Sequence, residues 1–169
     1  MSVLEKFFSA LNRDDVRYVV VGGLATVLHG FARLTADVDL IVDPDPVEAK
    51  KTISVLLGLG LLPRAPVDPF SFADAATRRG WIETKNMVVL SFWDTTQPLH
   101  EVDLFVESPI GFADLWSRAE EISYWDTTIR IASIPDLIHL KRLAGRPEDM
   151  RDVEALEEIL RRKRDLGHG

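Results

Sequence analysis

The chain has 169 residues, 46% of them hydrophobic, and a formal net charge of −7. That length suits one domain with one sizeable core, and the mixed composition is that of a soluble globular protein. No run is apolar enough to span a bilayer, no cysteine is present to form a disulfide, a thiolate zinc site or a nucleophile, and the acidic balance speaks against non-specific nucleic-acid binding, which needs clustered Lys and Arg.

Residues 1–15 are interrupted by charges and are followed by no small-residue cleavage site, so they do not read as a signal peptide; the expected location is cytoplasmic. Val3, Leu4, Phe7, Phe8 and Leu11 fall on one stripe and predict an amphipathic helix over 3–12. The run from Arg17 to Val21 reads as a buried strand ending at Gly22 and Gly23. A short helix follows over Leu24–His29, closed by Gly30, then a loop over Phe31–Ala36. Asp37–Val42 reads as a second strand, stopped by Pro44 and Pro46, and Asp45–Leu59 as a helix. Residues 61–86 are rich in Pro, Asp, Ser and Ala and yield no element assignment. Met87–Trp93 and Glu101–Val106 predict a hairpin, Ala113–Glu121 a helix and Thr127–Ala132 a strand. Ser133-Ile134-Pro135-Asp136 has capping-box character and starts a helix through Ala144. A last helix over Pro147–Arg164 turns Met150, Val153, Leu156, Ile159 and Leu160 inward. This order predicts an α/β (α+β) fold with helices packed on a mixed sheet, a single domain over 1–169 with its core at about 16–132 and C-terminal helices at about 133–164.

Chemistry concentrates in the acids. Side chains alternate along a strand, so Asp37 and Asp39 point one way and Val38 and Leu40 the other. Two carboxylates on one strand face repel, and a divalent cation with hard oxygen preferences, Mg²⁺ (or Mn²⁺), stabilises them. Glu101 and Asp103 share a face in the same way. If their strand lies beside the first, Asp103 joins Asp37 and Asp39, and three carboxylates suffice for two ions. Glu101 is expected at the periphery. Gly22-Gly23 either forms a tight turn or lets the backbone approach a phosphate closely.

A strand, a Gly-Gly or Gly-Ser pair, an Asp-hydrophobic-Asp and a third acid on a later strand make the pattern of the polymerase-β-type nucleotidyltransferase superfamily, which Gly22, Gly23, Asp37, Asp39 and Asp103 resemble in order. Gly23 stands where many members carry serine. The Gly-Gly form, Arg33-Leu34-Thr35 and the stretch DLIHLKRLAGRPEDMRDVEAL look like minimal bacterial nucleotidyltransferases of the AbiEii toxin type, and the resemblance covers most of residues 16–156. It implies transfer of a nucleoside monophosphate from an NTP to a hydroxyl on RNA, protein or a small molecule. It also implies metal held by Asp37, Asp39 and Asp103, nucleotide contacts from Gly22, Gly23, Arg33 and Lys141, and a cognate antitoxin or toxin partner, with no membrane association. Lys141, Arg146, Asp149 and Asp152 are carried over from the family's later motif. The rival function is a non-catalytic nucleotide-binding module acting through a partner protein.

Each residue also has a plainer role. Lys141 lies on the apolar arc of its helix with Leu137 and Ala144, where it either snorkels to the edge or meets phosphate. Asp149 and Asp152 can simply stabilise the positive end of the last helix. Arg33 and Thr35 precede the acids in a loop, where a solvated arginine is the commoner fate. Arg161-Arg162-Lys163-Arg164 complements a helix C-terminus or touches RNA. The four histidines lack partners at metal-ligand spacing and the four tryptophans read as core or edge aromatics.

Overall fold

Strict alternation in the two acid-bearing segments builds the middle of a β-sheet. Val38 and Leu40 are 2% and 0% exposed and Val102 and Leu104 are 3% and 0%, while the acids between them stay partly open. A computed structural model describes residues 1–96 and 101–167. In chain order these form α1 (Val3–Arg13), β1 (Tyr18–Val21), α2 (Gly22–Leu28), β2 (Val38–Val42), α3 (Pro46–Gly58), β3 (Leu62–Pro63), a 3-10 turn (Pro69–Ala73), α4 (Ala75–Lys85) and β4 (Val89–Trp93). They continue with β5 (Val102–Phe105), α5 (Phe112–Arg118), β6 (Glu120–Tyr124), β7 (Thr127–Ile131), α6 (Ile134–Ala144) and α7 (Pro147–Gly167).

The strands make one sheet in the order β3-β4-β5-β2-β1-β7-β6. Its centre is mixed: β1 and β2 are antiparallel, whereas β2–β5 and β1–β7 are parallel. Two antiparallel hairpins, β4–β5 and β6–β7, flank that centre. The core is the apolar sheet surface of Leu40, Ile41, Leu90, Phe92, Leu104, Ile129 and Ile131 against Phe8, Leu11, Ile53, Leu56 and Leu115 of the helices, all 2% exposed or less. Full burial of each such side chain contributes roughly 1.5–3 kcal/mol against the entropy of ordering the chain.

Local chemistry sets the helix ends. Ser2 Oγ accepts from Glu5 N at 3.1 Å, Asp45 Oδ2 from Val47 N at 3.1 Å, and Ser133 Oγ from Asp136 N at 3.2 Å. Each satisfies an amide that the first turn leaves unpaired. Gly145, at φ +68°, closes α6 in the left-handed conformation.

Several expectations need correction. Residues 61–86, unassigned from sequence, hold β3, the 3-10 turn and α4; α4 buries only Trp81, so no apolar stripe announces it. The helix expected to reach Glu121 stops at Arg118, and Glu120–Tyr124 is instead the edge strand β6, whose residues are all partly or fully exposed. Helix α2 begins at Gly22 and not at Leu24, so the two glycines form its first turn. Strand β2 begins at Val38, leaving the exposed Asp37 just outside it. Helix α7 runs on to Gly167, and Met150, expected inward, is 39% exposed; Asp149 and Asp152 are buried in its place, at 2% and 1%. Trp81 is buried while Trp125, at the β6–β7 turn, is 79% exposed. His100, part of the expected hairpin connection, and His168 lie outside the described residues.

Candidate active site

Backbone register lines up one row of residues across four strands. Val21 of β1 faces Asp39 of β2, Asp39 faces Asp103 of β5, and Asp103 faces Ser91 of β4. Because β2 and β5 run parallel, their Asp-bearing positions meet at the same end of the sheet. Ser91 Oγ donates to Asp103 Oδ1 at 2.6 Å, which orients that carboxylate.

The close approach at the start of α2 demands glycine. Gly22 has φ +67°, and a Cβ there would sit 2.2 Å from Asp39 Oδ2. A Cβ on Gly23 would fall 2.7 Å from Arg33 Nη2 and 2.8 Å from Thr35 Oγ1. The Thr35 hydroxyl thus occupies space that a serine side chain at position 23 would enter.

Crowding of acids sets the electrostatics. Burial, then the neighbouring Asp103 and Asp37, pushes the Asp39 carboxyl up to about 7, against the opposing pull of Lys141 and Arg146. Burial also raises the Asp103 carboxyl, aided by Asp37 and Glu101 and opposed by the Ser91 hydrogen bond. Carboxylate oxygens of Asp37, Glu101 and Asp103 all lie within 4.8 Å of one another. An all-oxygen donor set of that span, with unfavourable charge repulsion built into it, fits a hard divalent cation. Glu101, expected at the periphery, therefore lies in the acidic ring; its i, i+2 spacing from Asp103 is the sequence signal for that position. Its other neighbour is Arg64, which forms an ion pair with it and packs its guanidinium 4.1 Å from the centre of the Trp93 ring.

Facing the acids across a cleft of about 670 Å³ is a wall of cations. Lys141 of α6 is 5% exposed, and its amine donates to Asp152 Oδ2 at 2.7 Å and lies 3.9 Å from Asp149 Oδ1. Arg33, on the loop between α2 and β2, donates from Nη2 to the same Asp152 Oδ2 at 2.9 Å. Arg146 bonds Asp149 through Nε at 2.8 Å and through its backbone N–H at 3.1 Å. Although burial alone would raise it, the Asp149 carboxyl is held below the usual range by these Arg146 bonds. Lys141 therefore neither snorkels to the surface nor stands unpaired at the cleft, and Asp152 reaches across to another helix and a loop instead of merely facing its own helix end. The cleft brings together Gly22, Gly23, Arg33, Asp37, Asp39, Asp103 and Lys141. Leu34, Val88, Pro109, Leu140 and Leu143 add an apolar border. Arg161 and Arg162 instead pair with Glu158 on the exposed side of α7.

No family model and no curated protein matches the chain. Its fold, however, is similar to that of several solved structures. The lincosamide antibiotic adenylyltransferase LnuA, in a lincomycin-bound crystal structure, superposes with a TM-score of 0.62 at 17% identity, over 92% of this chain and 95% of that one. An antigenic nucleotidyltransferase-like protein from Paracoccidioides brasiliensis gives 0.56 at 16% identity, over 91% and 73%. ANT(2")-Ia in complex with adenylyl-2"-tobramycin gives 0.55 at 13% identity, over 94% and 87%. The seven-stranded mixed sheet, with its acids at one end and helices on its faces, is the fold that these nucleotidyltransferase structures share.

Proposed function

We propose that this chain is a metal-dependent nucleotidyltransferase that moves a nucleoside monophosphate from an NTP to a hydroxyl on a small acceptor. The observation that carries the reading is the register of Asp39 against Asp103 opposite the cations Arg33, Lys141 and Arg146, in one cleft. An all-acid cluster facing cations across such a gap suits a substrate that is itself a metal-bound polyphosphate. Asp37, Asp39 and Asp103, with Glu101 beside them, would hold Mg²⁺ or Mn²⁺. When bound, the ions supply charge neutralisation at the triphosphate and lower the pKa of the attacking hydroxyl.

The chain's own groups account for the rest. The bare backbone at Gly22 and Gly23 admits the triphosphate close to the acids. Lys141 and Arg33 offset the negative charge that develops toward the departing pyrophosphate. The acceptor oxygen bonds to the α-phosphorus as the bond from that phosphorus to the α,β-bridging oxygen breaks. Pyrophosphate leaves, and the hydroxyl proton passes to the Asp103 carboxylate and on to solvent.

The acceptor is read as a compact hydroxyl compound, neutral or cationic. The net charge of −7 disfavours a polyanionic acceptor. Two fold neighbours hold small molecules, lincomycin in one and adenylyl-2"-tobramycin in the other. An RNA acceptor and an antitoxin partner rest on the AbiEii resemblance alone.

Thermal melting with Mg²⁺ and each of the four NTPs, for wild type and Asp37→Ala, tests the reading. A ligand at a hundred times its dissociation constant adds about 2.7 kcal/mol. A magnesium-dependent rise with one NTP, lost in the variant, supports the site and names the donor. Labelled transfer to hydroxyl acceptors then separates an enzyme from a module that binds without turnover. No rise with any NTP refutes the reading.

A further inference from the structure

The cations facing the cleft come from separate pieces of chain, and a single carboxylate oxygen joins two of them. Arg33 sits on the loop that leads into β2, four positions before Asp37, and Lys141 sits on α6. Asp152 of α7 is 1% exposed, and its Oδ2 accepts from both, at 2.9 and 2.7 Å. A buried carboxylate is unfavourable unless paired, so these two bonds decide where it points. Both partners lie outside α7, which a purely helix-stabilising aspartate would not require. Asp149, one turn earlier, serves Arg146.

Two cations brought together repel. One shared carboxylate offsets that repulsion, and Asp149 Oδ1, 3.9 Å from the Lys141 amine, adds to it. Each cation also keeps N–H donors beyond the one it gives to Asp152. A triphosphate is the complement of such a pair.

We propose that Asp152 is a positioning residue for triphosphate: it holds Arg33 and Lys141 side by side at the cleft, and through Arg33 it draws in the loop that carries Asp37. This rests on the nucleotidyltransferase reading above, which assigns the cleft to an NTP. Asp152 does not touch the substrate; it acts through the two cations. The halves of the site, acids on the sheet and cations on the helices, are thereby kept in register by a bond between residues 119 positions apart.

The test uses inorganic tripolyphosphate with Mg²⁺ as the probe, titrated calorimetrically into wild type, Asp152→Asn, Asp152→Glu and Arg33→Gln. Hydrogen exchange of the amides at 33–37 is followed in the same proteins without ligand. Hydrogen bonds to charged groups set the scale: Asp152→Asn should weaken tripolyphosphate by about tenfold, or 1.4 kcal/mol. Arg33→Gln should weaken it similarly, with the double variant little worse than either single one. Exchange at 33–37 should quicken in both, and Asp152→Glu should recover part of the affinity. With an NTP and acceptor, KM for the NTP should rise more than kcat falls.

A folded Asp152→Asn protein with a lowered Tm but unchanged or tighter tripolyphosphate binding overturns the proposal in favour of a structural role. If Asp152→Asn does not fold, Arg33→Gln decides, since its side chain is about a third exposed; unchanged affinity and exchange there overturn the proposal equally. Wild type that binds neither tripolyphosphate nor any NTP sinks both this inference and the proposed function. Wild type that binds them, with variants that match it, sinks the inference alone.

Discussion

Asp39→Asn should make the metal-free protein more stable at pH 8 while abolishing transfer. The Asp39 carboxyl is raised from an ordinary 3.8 to about 7 by burial and by Asp103 and Asp37. A raised carboxyl means that the folded state holds its proton more tightly than the unfolded chain does. Between pH 4 and 7 the unfolded chain therefore loses its proton first, and stability falls as pH rises through that window. At pH 8 both states are ionised and the whole cost is present. The shift sets a ceiling of roughly 4 kcal/mol at 1.36 kcal/mol per pKa unit. Water entering the open cleft and side-chain relaxation reduce it to about 2 kcal/mol, because the effective dielectric of such sites is high. An isosteric amide removes the charge and can donate to Asp103. For a chain of this size the gain corresponds to roughly 4–8 °C in Tm. The assay is thermal unfolding of wild type and Asp39→Asn in EDTA, from pH 4 to 8. The gain should grow with pH and shrink when Mg²⁺ is restored to the wild type. A variant no more stable than wild type at pH 8, or a gain equal at pH 4 and pH 8, would falsify the electrostatic account.

Three further outcomes follow from the same geometry. Gly22→Ala sets a Cβ 2.2 Å from Asp39 Oδ2 at a residue with φ +67°; left-handed strain alone costs about 1–2 kcal/mol, and both the urea midpoint and Mn²⁺ affinity should drop. Ser91→Ala removes the 2.6 Å hydrogen bond to Asp103, so its carboxyl should rise further and the acid limb of the pH profile of kcat/KM should move to higher pH; an unmoved limb contradicts the assignment. Glu101→Gln should weaken Mn²⁺, followed by electron paramagnetic resonance, by about tenfold or more if its carboxylate belongs to the ion site, and leave Tm in EDTA unchanged or higher.

Short-range physics made much of the molecule legible in its sequence. Ser2, Asp45 and Ser133 mark helix starts because their side chains reach amides only two or three residues away. Alternation in Val38-Asp39-Leu40 and Val102-Asp103-Leu104 reveals which faces are buried, since a strand repeats every two residues. The adjacency of those two strands, which the sequence left as a condition, is met in the parallel β2–β5 pair. Helix α4 and strand β6 were hidden for the converse reason: α4 buries only Trp81 and β6 lies at the sheet edge, so neither carries a strong apolar period.

Tertiary structure alone decided the rest of the site. The sequence by itself determined that acids alternate with core residues, that glycines precede them, and that a lysine lies on the apolar arc of α6. It could not determine that Glu101 closes a ring with Asp37 and Asp103, that the Thr35 hydroxyl fills space beside Gly23, or that Asp152 ties Lys141 to Arg33. Periodicity and caps report contacts within a turn or two of the chain. A buried charge, by contrast, is placed by whichever opposite charge the packed core delivers to it, and that partner lies at no fixed distance in sequence.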